Sequence, residues 1–180
     1  PVALKMISPR LVHKTEAGAE VLNLKDEEAL KLAVEKMRID VNAYDADAVS
    51  ELFLVEAMSP NPLAELIVNL RKDSQFGAAL VLGSGGVLVE LMADTATLLL
   101  PTSPADIIRA LKSLRVGRLL EGFRGRPAVD IPKVAEEIFK LCIAYQDHEK
   151  TITEIEINPL FVYQAEVSAV DALIQVPVSK

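Results

Sequence analysis

The 180-residue chain has no tryptophan, one cysteine, and only 4% aromatic residues. Scarce aromatics exclude a platform on which nucleic-acid bases stack. The lone Cys142 excludes an internal disulfide and a thiol metal cluster. It falls at helical spacing with Ile138, Leu141 and Tyr145 and reads as a small apolar core side chain. Cations are also in deficit, with 19 Lys and Arg against 26 Asp and Glu and a net charge of −7. That balance lacks the basic face that general nucleic-acid binding needs. No long hydrophobic run is present. The longest uncharged stretch, Ser74 to Val89, is about 16 residues and carries four glycines, too short and too broken for a membrane span. No leader is visible, and the chain opens on PVALKMIS, already strand-like and without an initiator Met. It therefore reads as a piece of a longer protein in a reducing cytoplasm.

What is present is an aliphatic globular composition, 51% hydrophobic and 25% charged. This suits one good core or two small lobes. Strands are expected at Val2–Ile7, at VLNL, at LFLVEAM (52–58) and at AELIVNL, with AALVLG joined to VLVELMA through Gly83-Ser84-Gly85-Gly86 as a hairpin. Asp26 caps a helix with Leu30, Ala33, Val34 and Met37 on one face, and residues 42–51 read as a polar connection or short helix. Ser103-Pro104 with Asp106 opens a second helix on Ile107, Ile108, Leu111 and Leu114. Asp130-Ile131-Pro132 opens a third on Val134, Ile138, Leu141, Cys142 and Tyr145. Strands outnumber helices and come in local pairs. The expected class is mixed α/β (α+β) with largely antiparallel sheets and flanking helices.

Chemistry concentrates in a few places. Lys5 interrupts an apolar strand, so it sits at an edge, meets a carboxylate or meets an anionic ligand. The loop from Arg10 to Gly18 carries His13, Lys14 and Thr15; it can cradle phosphate or be an ordinary solvated turn. Gly122-Phe-Arg124-Gly125-Arg126 offers two arginines suited to phosphate or carboxylate. The strongest signal is EIEINPL (154–160). Alternation puts Ile155 and Ile157 on one side of the strand and Glu154, Glu156 and Asn158 on the other. If Val162 faces Val167 across a four-residue turn, Asn158 faces Asp171, with Cβ atoms roughly 5 Å apart. An amide oxygen beside a carboxylate suits a hard divalent cation. A ribbon with a merely solvated polar face is the alternative, but Asn and Pro are poor strand residues and their place opposite an Asp asks for a reason.

Taken in order, VALKMISPRLVHKTEAG, ELIVNLRKDSQFG, GGVLVE, GFRGRP and EINPLFVY with VDA resemble the ATP-grasp domain of the NDP-forming acyl-CoA synthetases. These are relatives of the succinyl-CoA synthetase β subunit, and the group includes fused protein acetyltransferases. The resemblance runs from about Pro1 to Ile174 and implies two α+β lobes with ATP or ADP between them and Mg²⁺ bridging the phosphates. Residues 1–56 would be the remainder of the first lobe, whose opening part is missing, and 57–180 the second lobe with a metal-binding C-terminal hairpin. By motif position Lys5 is similar to a strand lysine that meets the phosphates, and Glu56, Ala57 and Met58 to the hinge that frames adenine, with Glu65 nearby. Asn158 and Asp171 fall on the Mg²⁺ ligands, and His13 matches a second phosphoryl carrier of some two-subunit members.

The reaction implied is that of an acid–thiol ligase: acid, CoA and ATP give acyl-CoA, ADP and phosphate. It would run through an acyl phosphate and a phosphohistidine on a partner domain, which would also bind most of the coenzyme A. The partners implied are that domain and a small carboxylic acid, and this stretch alone should not complete the reaction. Ala19, Ala64 and Asn69 stand where the family usually has glycine. They leave open a nucleotide-binding or regulatory module of a fused acetyltransferase that does not turn over. Ala19 is expected to cost the phosphate loop some freedom, and Asn69 to crowd a pocket wall.

Overall fold

A computed structural model describes residues 1–11, 14–85 and 94–177. The chain divides into two compact units, Pro1–Pro60 and Asn61–Lys180.

The first unit is a three-stranded antiparallel sheet in the order β2-β1-β3, with β1 at Val2–Met6, β2 at Glu20–Leu24 and β3 at Phe53–Ala57. Helix α1 (Glu27–Tyr44) starts where Asp26 accepts a hydrogen bond from the Ala29 N–H at 2.8 Å. Its buried Ala33, Met37 and Val41 meet Leu4 and Met6 of β1. Each such fully buried Leu or Met contributes about 1.5–3 kcal/mol. The helix runs on through Asn42–Tyr44, and only Ala46–Ala48 form the short 3₁₀ turn, pinned where Asp45 accepts from the Asp47 N–H.

The second unit is a six-stranded antiparallel sheet. Its strands are β4 (Ala64–Asp73), β5 (Gly77–Ser84), β6 (Thr95–Leu99), β7 (Glu154–Val162), β8 (Val167–Ala169) and β9 (Ala172–Gln175). The order is β6-β5-β4-β7-β8, and β9 also pairs with β7. Helices α2 (Pro104–Ser113), α3 (Gly117–Leu120) and α4 (Ile131–Asp147) complete it. Leu66, Val68 and Leu70 of β4 and Ile155 and Ile157 of β7 share a core with Ile107, Leu111, Ile138 and Tyr145. Ser103 and Asp130 cap α2 and α4 as the sequence predicts. Cys142 is wholly buried there, and burial pushes its thiol up to about 11. Among the described residues no helix is long and apolar enough to cross a membrane.

β5 lies between β4 and β6, and β6, which the sequence did not reveal, pairs with it from Ala79 with Leu99 to Gly83 with Thr95. The VLVELMA stretch lies outside the described residues. The ends of β5 and β6 are tied through Asp94, which accepts from the Ser84 hydroxyl and the Arg115 N–H, both at 2.8 Å. Burial alone would raise its pKa; these donors, with the Val116 N–H, outweigh burial and hold it below the usual carboxylate value. A depressed folded pKa contributes stability present above the unfolded value, roughly 3.9, and lost as pH falls through the folded value. Asp94→Asn is therefore expected to lower stability at pH 7 and flatten its decline between about pH 5 and pH 2. Urea unfolding across that range checks it; an unchanged slope would show that the tie carries no linkage.

Candidate functional site

In the first unit the site-bearing strand is β1. Leu4 and Met6 face α1, so Lys5 faces the other way, and β1 is the middle strand, which rules out the edge position. Lys5 is only 3% exposed, and its ammonium lies 3.1 Å from Glu56 and 3.7 Å from Glu20. Register explains both contacts. Lys5 is paired with Glu20 on β2 and with Leu54 on β3, two residues from Glu56 on the same face. Two predicted residues, Lys5 and Glu56, thus meet; Glu20 was missed. Ala57 is exposed opposite Val2, and the Met58 N–H donates to the Pro1 carbonyl at 3.2 Å.

Lys14 sits half-buried in the turn before β2, its carbonyl accepting from the Ala19 N–H at 2.8 Å. His13 lies outside the described residues. Arg10 is committed to structure, pairing with Asp45 at 3.0 Å at the end of α1. The loop's conformational demand falls on Gly18, at φ +66°, where a Cβ would lie 2.8 Å from that of Asp40. Ala19 is outside the left-handed region and its methyl is fully buried in the core, so alanine there costs the loop no φ freedom.

In the second unit the candidate residues of β4 and β7 lie on the sheet face opposite the core. Alternation along β4 puts Glu65, Asn69 and Arg71 on it, and alternation along β7 adds Glu154, Glu156 and Asn158. Val68 pairs with Ile157 but Leu66 with Leu160, so β7 carries one extra residue: Asn158 and Pro159 together oppose Ile67. Such a bulge re-aims a side chain at the point where ladder bonding lapses. The predicted hairpin register holds on both sides of it, Ile157 with Ala172 and Leu160 with Ala169. At the bulge the Asn158 N–H donates to the Asp171 carbonyl at 3.2 Å. The two residues named as metal ligands are therefore direct neighbours. Their donor set, an amide oxygen and a carboxylate, fits a hard divalent cation such as Mg²⁺.

Glu65 heads the same face, its carbonyl accepting from the Gly85 N–H at 2.8 Å. A Cβ at position 85 would lie 2.7 Å from the Leu66 backbone, so this close approach needs glycine. Asn69, 7% exposed, donates to Glu154 at 2.6 Å and Glu156 at 3.2 Å, and among the described residues its Oδ1 accepts no hydrogen bond. Asn69 was expected to crowd a pocket wall; the structure shows it buried on this face, and its bonding to both carboxylates was not foreseen. Only the pairing of Asn69 with Glu156 across β4 and β7 reveals it.

Residues 1–176 match the ATP-grasp domain family. The β subunit of ADP-forming acetate–CoA ligase I of Pyrococcus furiosus is 34% identical over 174 residues, covering 96% of this chain and 73% of that one. The β subunit of ligase II from the same organism is 32% identical over 171 residues, with 94% and 72% covered. Among solved structures, the dinucleotide-forming acetyl-coenzyme A synthetase 1 of Ca. Korarchaeum cryptofilum, in complex with coenzyme A and Ca-AMPCP, superposes with a TM-score of 0.89 at 34% identity. That match covers 98% of this chain and 76% of that one. Another structure of that enzyme, with coenzyme A and Mg-AMPPCP and its phosphohistidine segment pointing towards the nucleotide binding site, gives a TM-score of 0.79 at 31% identity and covers 98% and 76%. The mixed α/β architecture with antiparallel sheets is theirs too, and the chain belongs to the ATP-grasp domain family, close to the β subunits of ADP-forming acetyl-CoA synthetases.

Proposed function

We propose that this chain binds Mg²⁺-nucleotide and takes part in phosphoryl transfer within a larger ADP-forming acyl-CoA synthetase. The observation that supports the reading is the hydrogen bond from the Asn158 N–H to the Asp171 carbonyl at the β7 bulge, which makes a residue with an amide oxygen and one with a carboxylate direct neighbours. In this reading they hold the ion, and Mg²⁺ supplies charge neutralisation for the phosphates. Lys5, and Lys14 in its turn, meet phosphate oxygens as charged donors. Glu56 to Met58, with Glu65, frame the base. Lys5 is already held by Glu56 and Glu20, which orients the ammonium before any ligand arrives.

The chemistry is positioning and electrostatics. The overall reaction joins a small carboxylic acid to coenzyme A at the expense of ATP, giving ADP and phosphate. The phosphoryl group travels by histidine, with His13 as a carrier on this chain whose neutral imidazole has a lone pair to accept it. A partner domain or subunit holds coenzyme A and the other histidine. The single buried thiol suits a reducing, cytoplasmic setting.

Given [γ-³²P]ATP and Mg²⁺, the full-length protein is expected to acquire acid-labile label that His13→Ala removes. Undiminished labelling of the variant overturns the carrier role. Asn69, Ala19 and Ala64, standing where the family usually has glycine, favour a second reading, a non-catalytic nucleotide-binding or regulatory domain of a fused protein acetyltransferase. Under that reading Mg²⁺-nucleotide raises the melting temperature while no label appears.

A further inference from the structure

Asn69 is where the far face of the second unit departs from simple alternation of polar and exposed. It lies mid-strand on β4, yet it is as buried as a core residue, and both hydrogens of its amide are used, one for each glutamate of β7. Glu154 and Glu156 are two residues apart on one strand and point to the same side, so their charges repel along the strand. The amide offsets that repulsion by drawing both carboxylates sideways onto β4. The bond to Glu154 is short at 2.6 Å and that to Glu156 longer at 3.2 Å; both are to carboxylates and partly buried, which makes them stronger than neutral bonds in water and favours one rotamer. Asn158 follows Glu156 by two residues on the same face, about 7 Å along the strand, within reach of a glutamate side chain that is free to swing. Glu156 is thus an additional oxygen donor within reach of an ion held by Asn158 and Asp171, and its hydrogen bond with Asn69 draws it towards β4 instead.

We propose that Asn69 is a positioning residue for the metal centre: it holds Glu156 against β4 and keeps it out of the ion's ligand set. The ion is then bound by two protein donors of total charge −1 rather than three of total charge −2. Ligand number and charge set divalent-ion affinity, so the amide keeps the ion weakly held and dependent on the nucleotide phosphates for its remaining ligands. The inference rests on the reading of Asn158 and Asp171 as the ligands.

Mn²⁺ replaces Mg²⁺ as the probe, its free concentration read by electron paramagnetic resonance in the full-length protein with and without a non-hydrolysable ATP analogue. Asn69→Ala is expected to tighten Mn²⁺ binding about fivefold or more, chiefly in the absence of nucleotide, and Asn69→Ala/Glu156→Gln to return it to the parent value. Glu156→Gln in the parent background, which keeps Asn69, is expected to leave Mn²⁺ affinity unchanged. A weakening there shows that Glu156 already binds the ion and overturns the proposal, even if Asn69→Ala proves too unstable to study. Parent-like Mn²⁺ affinity in Asn69→Ala, or tightening that survives Glu156→Gln, overturns it equally. If the parent binds no Mn²⁺ that Asp171→Ala removes, the ligand assignment itself has failed, which is a different result. A role confined to packing would move the melting temperature and leave every one of these affinities alone.

Discussion

Replacing Asp171 by alanine in the full-length protein is expected to weaken Mg²⁺-nucleotide binding by about 100-fold or more, roughly 3 kcal/mol, with little change in the fold. The magnitude follows from what the side chain would supply. It is the one formal charge in the proposed ligand pair, and losing it leaves the ion with a single neutral protein donor. The fold effect is small because Asp171 is half-exposed, and it lies between β8 and β9 rather than in the core. Asn158→Ala is expected to act in the same direction but less strongly, since a neutral amide contributes less to holding a dication. If both groups serve one ion, as proposed, the double variant should be little worse than Asp171→Ala alone. Titration calorimetry with a non-hydrolysable analogue, with and without Mg²⁺, reads all three. Additive losses, or a loss equally large without Mg²⁺, would mean that the two residues do not share an ion.

The parts of this molecule legible in the sequence are those whose physics is local. Asp26, Ser103 and Asp130 each cap a helix because the bond they make closes within three residues, and the apolar faces of those helices follow from period alone. The C-terminal hairpin was legible for a related reason: one assumed turn sets the register of every pair behind it, and Asn158 then falls beside Asp171. What escaped was non-local. Thr95–Leu99 has no local turn that fixes its partner, and its pairing with β5 is set by the sheet. Glu20 and Glu56 reach Lys5 only because two different strands flank β1, an arrangement that no spacing in the sequence encodes. The bulge in β7 was equally hidden. Asn-Pro inside a strand signals an irregularity, but only the register shift between Leu66 and Val68 shows that it lies within the β4 ladder. For Asn69 the departure from glycine was visible, while the partners of the amide were fixed by the β4–β7 register.

Lys5 offers the second large effect, because its variants separate holding the fold from holding the ligand. Lys5→Met removes the ammonium and leaves Glu20 and Glu56 facing each other across β1. The glutamates are 21% and 42% exposed and can recover water, so the cost falls short of that for a fully buried pair, at about 1–3 kcal/mol. A second change, Glu56→Gln, relieves the like-charge contact and is expected to restore much of that stability in the Lys5→Met background. Nucleotide affinity should not recover with it. A charged donor to phosphate is worth about 1.5–3 kcal/mol, so both the single and the double variant are expected to bind Mg²⁺-nucleotide roughly 10- to 150-fold more weakly than the parent. Chemical denaturation and nucleotide titration on the same three full-length proteins give the two readouts independently. Stability that falls and recovers while affinity stays low marks Lys5 as a phosphate contact that the fold also uses. Affinity that recovers together with stability would make Lys5 a structural ion-pair partner and remove it from the nucleotide site.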